Sequence, residues 1–181
     1  MSESISVPKV LWLIGLSGAG KSTLGDGLAA ELTKRGIPNT RLDGDTLRTG
    51  LNSDLGFSRE DRAENLRRSA HVANLLSGLN FVVICSFITP NEVDRAQIRR
   101  ILGDRYVEVF VRASLAECER RDPKGLYRRA RAGQIPQFTG IGSDFEPPVN
   151  ADVVIDTEEC SIGEAVDRLV GVVTASLDKV K

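Results

Sequence analysis

Residues 15–22 read Gly-Leu-Ser-Gly-Ala-Gly-Lys-Ser and meet every fixed position of the pattern G-x-x-x-x-G-K-[ST]. These residue types suit one chemistry. Glycines let successive backbone N–H groups curl around phosphate oxygens, and a helix starting at the end of the loop adds partial positive charge. The Lys21 ammonium can neutralise β- and γ-phosphates, and the Ser22 hydroxyl can ligate Mg²⁺. The candidate ATP-binding residues are therefore Gly15, Ser17, Gly18, Ala19, Gly20, Lys21, Ser22 and Thr23, with Ser22 the candidate metal ligand. Such a loop specifies a nucleoside triphosphate but not an acceptor. No Asn-Lys-x-Asp occurs to read a guanine, and the apolar stretch 81–87 ends in Ser86-Phe87, not in the acid usual for a motor. Those absences favour a small-molecule kinase.

Phosphoryl transfer to a hydroxyl needs a group that orients the acceptor and takes its proton. Asp43-Gly44-Asp45 stands where ligands of α/β folds collect, at the carboxyl end of the second strand. The same triplet fits a turn with Asp as a helix N-cap. Arg48, Arg62, Arg67 and Arg68 cluster with Asn52 and Asn65. Guanidiniums are planar forks for phosphate or sulfate oxygens, although such a cluster also fits a solvated helix face. Phe57 and Phe138 lie among polar neighbours, which suits either a core position or stacking on a base. Residues 120–131 hold six basic residues against the single acid Asp122, the composition of a lid that closes over nucleotide and excludes water. Tyr127 is the lone aromatic among them, which speaks against a nucleic-acid surface.

The elements that must position these groups alternate. Lys9–Ile14 is an apolar run closed by Gly15, a strand buried on both faces. Leu24, Leu28 and Leu32 stripe a helix from Ser22 to about Arg35, stopped by Gly36 and Pro38. A weaker strand covers Thr40–Leu42. A long helix runs from Ser58, its N-cap, to Leu79, with Leu66, Ala70, Ala73, Leu76 and Leu79 on one face. Strands are expected at 81–87, 105–111 and 153–155, and shorter helices at 91–102 and 114–121. Residues 122–148 lack a clean period and read as a mobile segment with a helix inside. Ser161 and Glu164 form a capping box for a last helix whose face is Ile162, Val166, Leu169 and Val173. Strand and helix repeat about five times, so the expected class is α/β: a doubly wound, mostly parallel sheet in one domain, 1–181, with a basic lid.

With 24 Lys plus Arg and 25 Asp plus Glu, the net charge of −1 excludes a generic polyanion binder. Cys85, Cys118 and Cys160 are odd in number and far apart, and His71 is the single histidine, so a structural zinc site is excluded. Unpaired cysteines, no signal-peptide pattern and no long apolar run lead us to expect a cytoplasmic protein, with no membrane or nucleic-acid partner.

Five stretches in order resemble the adenylylsulfate kinase (APS kinase) family of P-loop kinases. They are GLSGAGKST at 15–23, LDGD-x-x-R at 42–48, DLGFS-x-x-DR-x-EN-x-RR at 54–68, DPKGLY at 122–127 and FTGI at 138–141. The resemblance implies a P-loop NTPase three-layer fold and the reaction of ATP with adenylylsulfate to give ADP and 3′-phosphoadenylylsulfate. It implies Asp45 at the acceptor 3′-hydroxyl, so that Asp45 and Lys21 are the expected catalytic residues. It implies Arg48, Arg62 and Asn65 on adenylylsulfate, Phe57 and Phe138 clamping its adenine, and Lys124 near the phosphates. Asp43, Ser86, Ile88, Leu126 and Thr139 complete the expected substrate pocket, and a homodimer is expected on the same ground. A kinase of another nucleotide hydroxyl and a non-catalytic sensor of adenylylsulfate and ATP remain open as alternatives. The chain departs from the family where Thr89 replaces the usual Ser, where Asn91-Glu92 follow Pro90, at Arg112 and Ser114, and where Pro136-Gln137 precede FTGI.

Overall fold

The computed structural model describes residues 10–177. Five strands, β1 Val10–Ile14, β2 Asn39–Asp43, β3 Val82–Ser86, β4 Tyr106–Arg112 and β5 Val153–Asp156, form one sheet in the order β2-β3-β1-β4-β5. Every pairing is parallel. β1 is the centre and is buried along its whole length, which explains its unbroken apolar sequence. Side chains alternate across it. Leu11 and Leu13 join one core with Leu24, Leu28 and Leu32 of α1 (Lys21–Lys34) and Ala165, Leu169 and Val173 of α7 (Ile162–Leu177). Val10, Trp12 and Ile14 join the opposite core with Leu66, Ala70 and Ala73 of α3 (Arg59–Gly78) and Ile98 and Leu102 of α4 (Glu92–Leu102). Three layers result, as expected. No helix among the described residues is long and apolar enough to cross a membrane.

The capping signals work as read. Ser58 accepts from the Asp61 N–H. The Glu164 carboxylate accepts from the Ser161 N–H, and Ser161 Oγ accepts from the Glu164 N–H. The expected strand residue Lys9 lies outside the described residues. Other expectations need correction. Leu79 is the C-cap of α3 and 64% exposed, and Ile162 opens α7 exposed, because end residues point past the face that the helix interior buries. A short helix, α2 (Gly44–Arg48), follows β2 directly, since the Asp43 side chain caps it by accepting from the Asp45 N–H. The segment read as mobile is packed. It holds α6 (Leu126–Arg131) after α5 (Leu115–Arg121), and its Tyr127, Ala130, Phe138 and Thr139 are buried. Its anchors are aromatic rings, which follow no helical or strand period.

β1, β3 and β4 converge where β1 ends. Gly15 has φ +146°, its N–H donates to Ile88 O at 3.3 Å, and a Cβ there would stand 2.4 Å from Val111 O. Gly15→Ala is therefore expected to cost about 2–4 kcal/mol of stability through backbone strain and overlap. Urea unfolding of the two proteins measures it, and equal midpoints would contradict the close approach.

Candidate active site

The loop after β1 enters α1 without a side-chain cap. Gly20, left-handed at φ +103°, is the N-cap, and the first turn carries no acid. Its orphan N–H groups and dipole are thus directed at the loop's interior. The Lys21 ammonium donates to Gly15 O at 2.9 Å and Leu16 O at 2.7 Å. Three further loop carbonyls accept from outside the loop. Tyr127 Oη donates to Ser17 O at 2.9 Å, Arg121 Nη1 to Gly18 O at 3.4 Å and Thr157 Oγ1 to Ala19 O at 3.0 Å. Thr23 is exposed and makes none of these contacts.

Beside the loop, Asp43 and Ser86 are register partners at the ends of β2 and β3. Ser22 Oγ donates to Asp43 Oδ2 at 2.9 Å, and the buried Ser86 Oγ has no hydrogen-bond partner among the described residues. Asp45, in α2, receives Lys124 Nζ at 2.5 Å on Oδ2. That bond raises the Lys124 pKa above its ordinary value. A chain of contacts therefore runs from the phosphate loop through Ser22 and Asp43 to Asp45 and Lys124. No three His, Cys, Asp or Glu side chains among the described residues form a metal cluster.

The arginine cluster divides. Arg67 is paired with Glu64, and Arg68 with Glu64 and Asp54, so these two brace α3. Arg48 and Arg62 form no ion pair among the described residues and donate mainly to carbonyls instead. Arg48 donates to Leu55 O and Gly56 O and lies 4.5 Å over the Phe57 ring. Arg62 donates to Phe57 O at 2.9 Å, Thr139 Oγ1 at 3.0 Å and Gln137 O at 2.8 Å. Burial lowers the pKa of both, and for Arg62 the neighbouring Arg48 adds to it. Two partly desolvated cations that act on one another repel, and a bound anion would offset that repulsion.

The two phenylalanines are tied to one wall through Arg62 but differ in state. Phe57 is 68% exposed, whereas Phe138 is buried edge-on against Tyr127 at 5.0 Å. Asn65 is buried and accepts from Asn52 Nδ2 at 2.9 Å. Ile88 reaches the site through its carbonyl on Gly15, and Leu126 packs on the core beneath. Thr89 is buried, and its Oγ1 accepts from Trp12 Nε1 at 2.9 Å. Arg95, 2% exposed, holds the same bend by donating to Thr89 O, Pro90 O and Glu146 O. Sequence reasoning missed Arg95, Arg121, Tyr127 and Thr157 as site supports. Tyr127 alone carried a signal, as the single aromatic in a basic segment.

Burial lowers the Lys21 pKa to about 8. The unfolded chain therefore holds this proton more tightly, and stability rises with pH between about 8 and 10.5. In unfolding titrations, wild type should gain about 2–3 kcal/mol over Lys21→Met across that window. A constant difference would show that burial does not shift the lysine.

Residues 7–156 match the model of the family described as adenylylsulphate kinase. The adenylyl-sulfate kinase of Paraburkholderia xenovorans is 55% identical over 160 residues, 88% of this chain and 89% of that one. That of Pseudomonas entomophila is 51% identical over 163 residues, 90% of this chain and 78% of that one. The Mycobacterium tuberculosis APS kinase solved with AMPPNP and APS superposes with a TM-score of 0.88 at 46% identity, covering 91% of this chain and 96% of that one. A Sinorhizobium meliloti gluconokinase, 20% identical with a TM-score of 0.64 over 96% of this chain and 97% of that one, shares the fold.

Proposed function

The chain belongs to the adenylylsulfate kinase family, and from that premise we propose how its residues divide the reaction. It is a P-loop kinase that transfers the γ-phosphoryl of ATP to the 3′-hydroxyl of adenylylsulfate, giving ADP and 3′-phosphoadenylylsulfate. One domain carries both substrates. Residues 15–23 hold the ATP phosphates through N–H groups and Lys21. Ser22, with Asp43 and the unpartnered Ser86 beside it, suits Mg²⁺ bound mainly by nucleotide oxygens and water, not by a protein cage. When bound, the ion neutralises charge on the phosphate oxygens.

Arg48 and Arg62 supply the cations for the phosphosulfate, and Phe57 offers a face for adenine. Asn65, Ile88, Leu126, Phe138 and Thr139 shape the wall behind it. Asp45 accepts the hydrogen bond of the 3′-hydroxyl. As the bond from γ-phosphorus to ADP oxygen breaks and the bond to the 3′-oxygen forms, the hydroxyl proton passes to that carboxylate. The observation that carries this reading is the contact chain from Ser22 through Asp43 to Asp45 and Lys124, which joins the phosphate loop to the acceptor edge. Three free thiols support a reducing, cytoplasmic setting.

Protein mixed with MgATP and adenylylsulfate should release ADP, and Asp45→Ala should lower turnover by about 10²–10⁴-fold. Equal turnover in the variant would remove Asp45 from this role. Tight binding of both nucleotides without any turnover would favour a sensor.

A further inference from the structure

The five carbonyls from Gly15 to Ala19 each accept a hydrogen bond from a side chain, and only two of those bonds come from within the loop. The other three donors are remote in sequence: Arg121 ends α5, Tyr127 lies in α6 and Thr157 follows β5. They are also linked to one another. Arg121 Nη1 donates to Thr157 Oγ1 at 2.9 Å, its Nη2 donates to Thr157 O at 2.9 Å, and its Nε donates to Glu117 at 2.7 Å. The Thr157 N–H is fixed on Arg112 O at 3.0 Å.

Peptide planarity gives these contacts a consequence. In a trans peptide the N–H of one residue points opposite to the carbonyl before it. Holding Ser17 O outward turns the Gly18 N–H inward, and holding Ala19 O outward turns the Gly20 N–H inward. The peptide between them is used differently, since the Ala19 N–H donates to Leu16 O at 3.2 Å and closes the loop on itself. Gly18, at φ +79°, has no Cβ to restrict its backbone, so contacts from outside the loop are what fix its conformation there.

We propose that Tyr127 and Thr157, with Arg121 joining them, are positioning residues that hold the phosphate-binding N–H groups of Gly18 and Gly20 in place for the donor nucleotide. The inference rests on residues 15–23 being the ATP site. The two hydroxyls are its active ends. The Tyr127 ring has a separate task, since it packs edge-on against Phe138 on the acceptor wall. Removing the hydroxyl alone therefore affects donor binding and leaves acceptor binding intact.

The test compares wild type with Tyr127→Phe, Thr157→Val and Thr157→Ser. Three quantities are measured: KM for each substrate, Kd for a non-hydrolysable ATP analogue, and Tm. Tyr127→Phe and Thr157→Val should each raise the ATP KM and the analogue Kd about fivefold, the effect of one lost hydrogen bond. KM for adenylylsulfate should stay at its wild-type value, Tm should fall by no more than about 2–4 °C, the cost of one hydrogen bond, and Thr157→Ser should restore ATP binding. Unchanged ATP constants in both variants would overturn the proposal. So would a parallel rise in both KM values with a larger fall in Tm, the mark of a merely structural role. Failure of wild type to bind the analogue would instead overturn the donor-site reading beneath it.

Discussion

A loop that directs its N–H groups at an anion must direct its carbonyls away, and those carbonyls still need donors. Much of the architecture around residues 15–20 answers that constraint. The loop's own lysine serves two carbonyls, and a tyrosine, an arginine and a threonine from three later parts of the chain serve the rest. The sheet order makes this possible. β1 lies between β3 and β4, so the exits of all three strands meet at the loop. The segment after β4 carries α5 and α6 back across it, and the turn after β5 closes the outer side.

The same economy of partners sets the electrostatics. A cation's effect at a site depends on whether a carboxylate has already claimed it. Glu64 and Asp54 claim Arg67 and Arg68, whereas backbone oxygens hold Arg48 and Arg62 in place without neutralising them. Carbonyl ligands orient a guanidinium and leave its charge for a substrate. Asp43 has a double task of the same kind, since one oxygen caps α2 and the other meets Ser22. A single carboxylate thereby fixes where Asp45 stands relative to the phosphate loop.

What could be read in the chain was what local pattern determines. The phosphate loop, the strand–helix alternation, the caps at Ser58 and Ser161 and the buried stripes of α1 and α3 depend on neighbours a few residues away. What could not be read depends on partners far along the chain. Nothing local distinguishes Arg62 from Arg67, because the difference is whether Glu64 or Thr139 lies within reach. Phe57 and Phe138 look alike in their surroundings, yet one is exposed under a guanidinium and the other is buried against Tyr127. The segment 122–148 lacks a period because single rings and turns hold it, with Asp122 accepting from the Tyr127 and Arg128 N–H groups to start α6.

Charge counting along the sequence leads to a related misreading. Residues 120–131 carry six basic side chains, which suggests a strongly positive lid. In the folded chain Glu117 takes Arg120 and Arg121, Glu119 takes Arg131, and Asp45 takes Lys124. Of these six, only Arg128 and Arg129 form no ion pair among the described residues. The lid's field is therefore modest, and the cations of the proposed nucleotide sites are Lys21, Arg48 and Arg62, which carbonyls hold and which form no ion pair among the described residues. A chain of net charge −1 needs no surplus of cations to bind polyphosphate. It needs a few whose charge the fold leaves uncompensated, placed where water is excluded and each one counts for more.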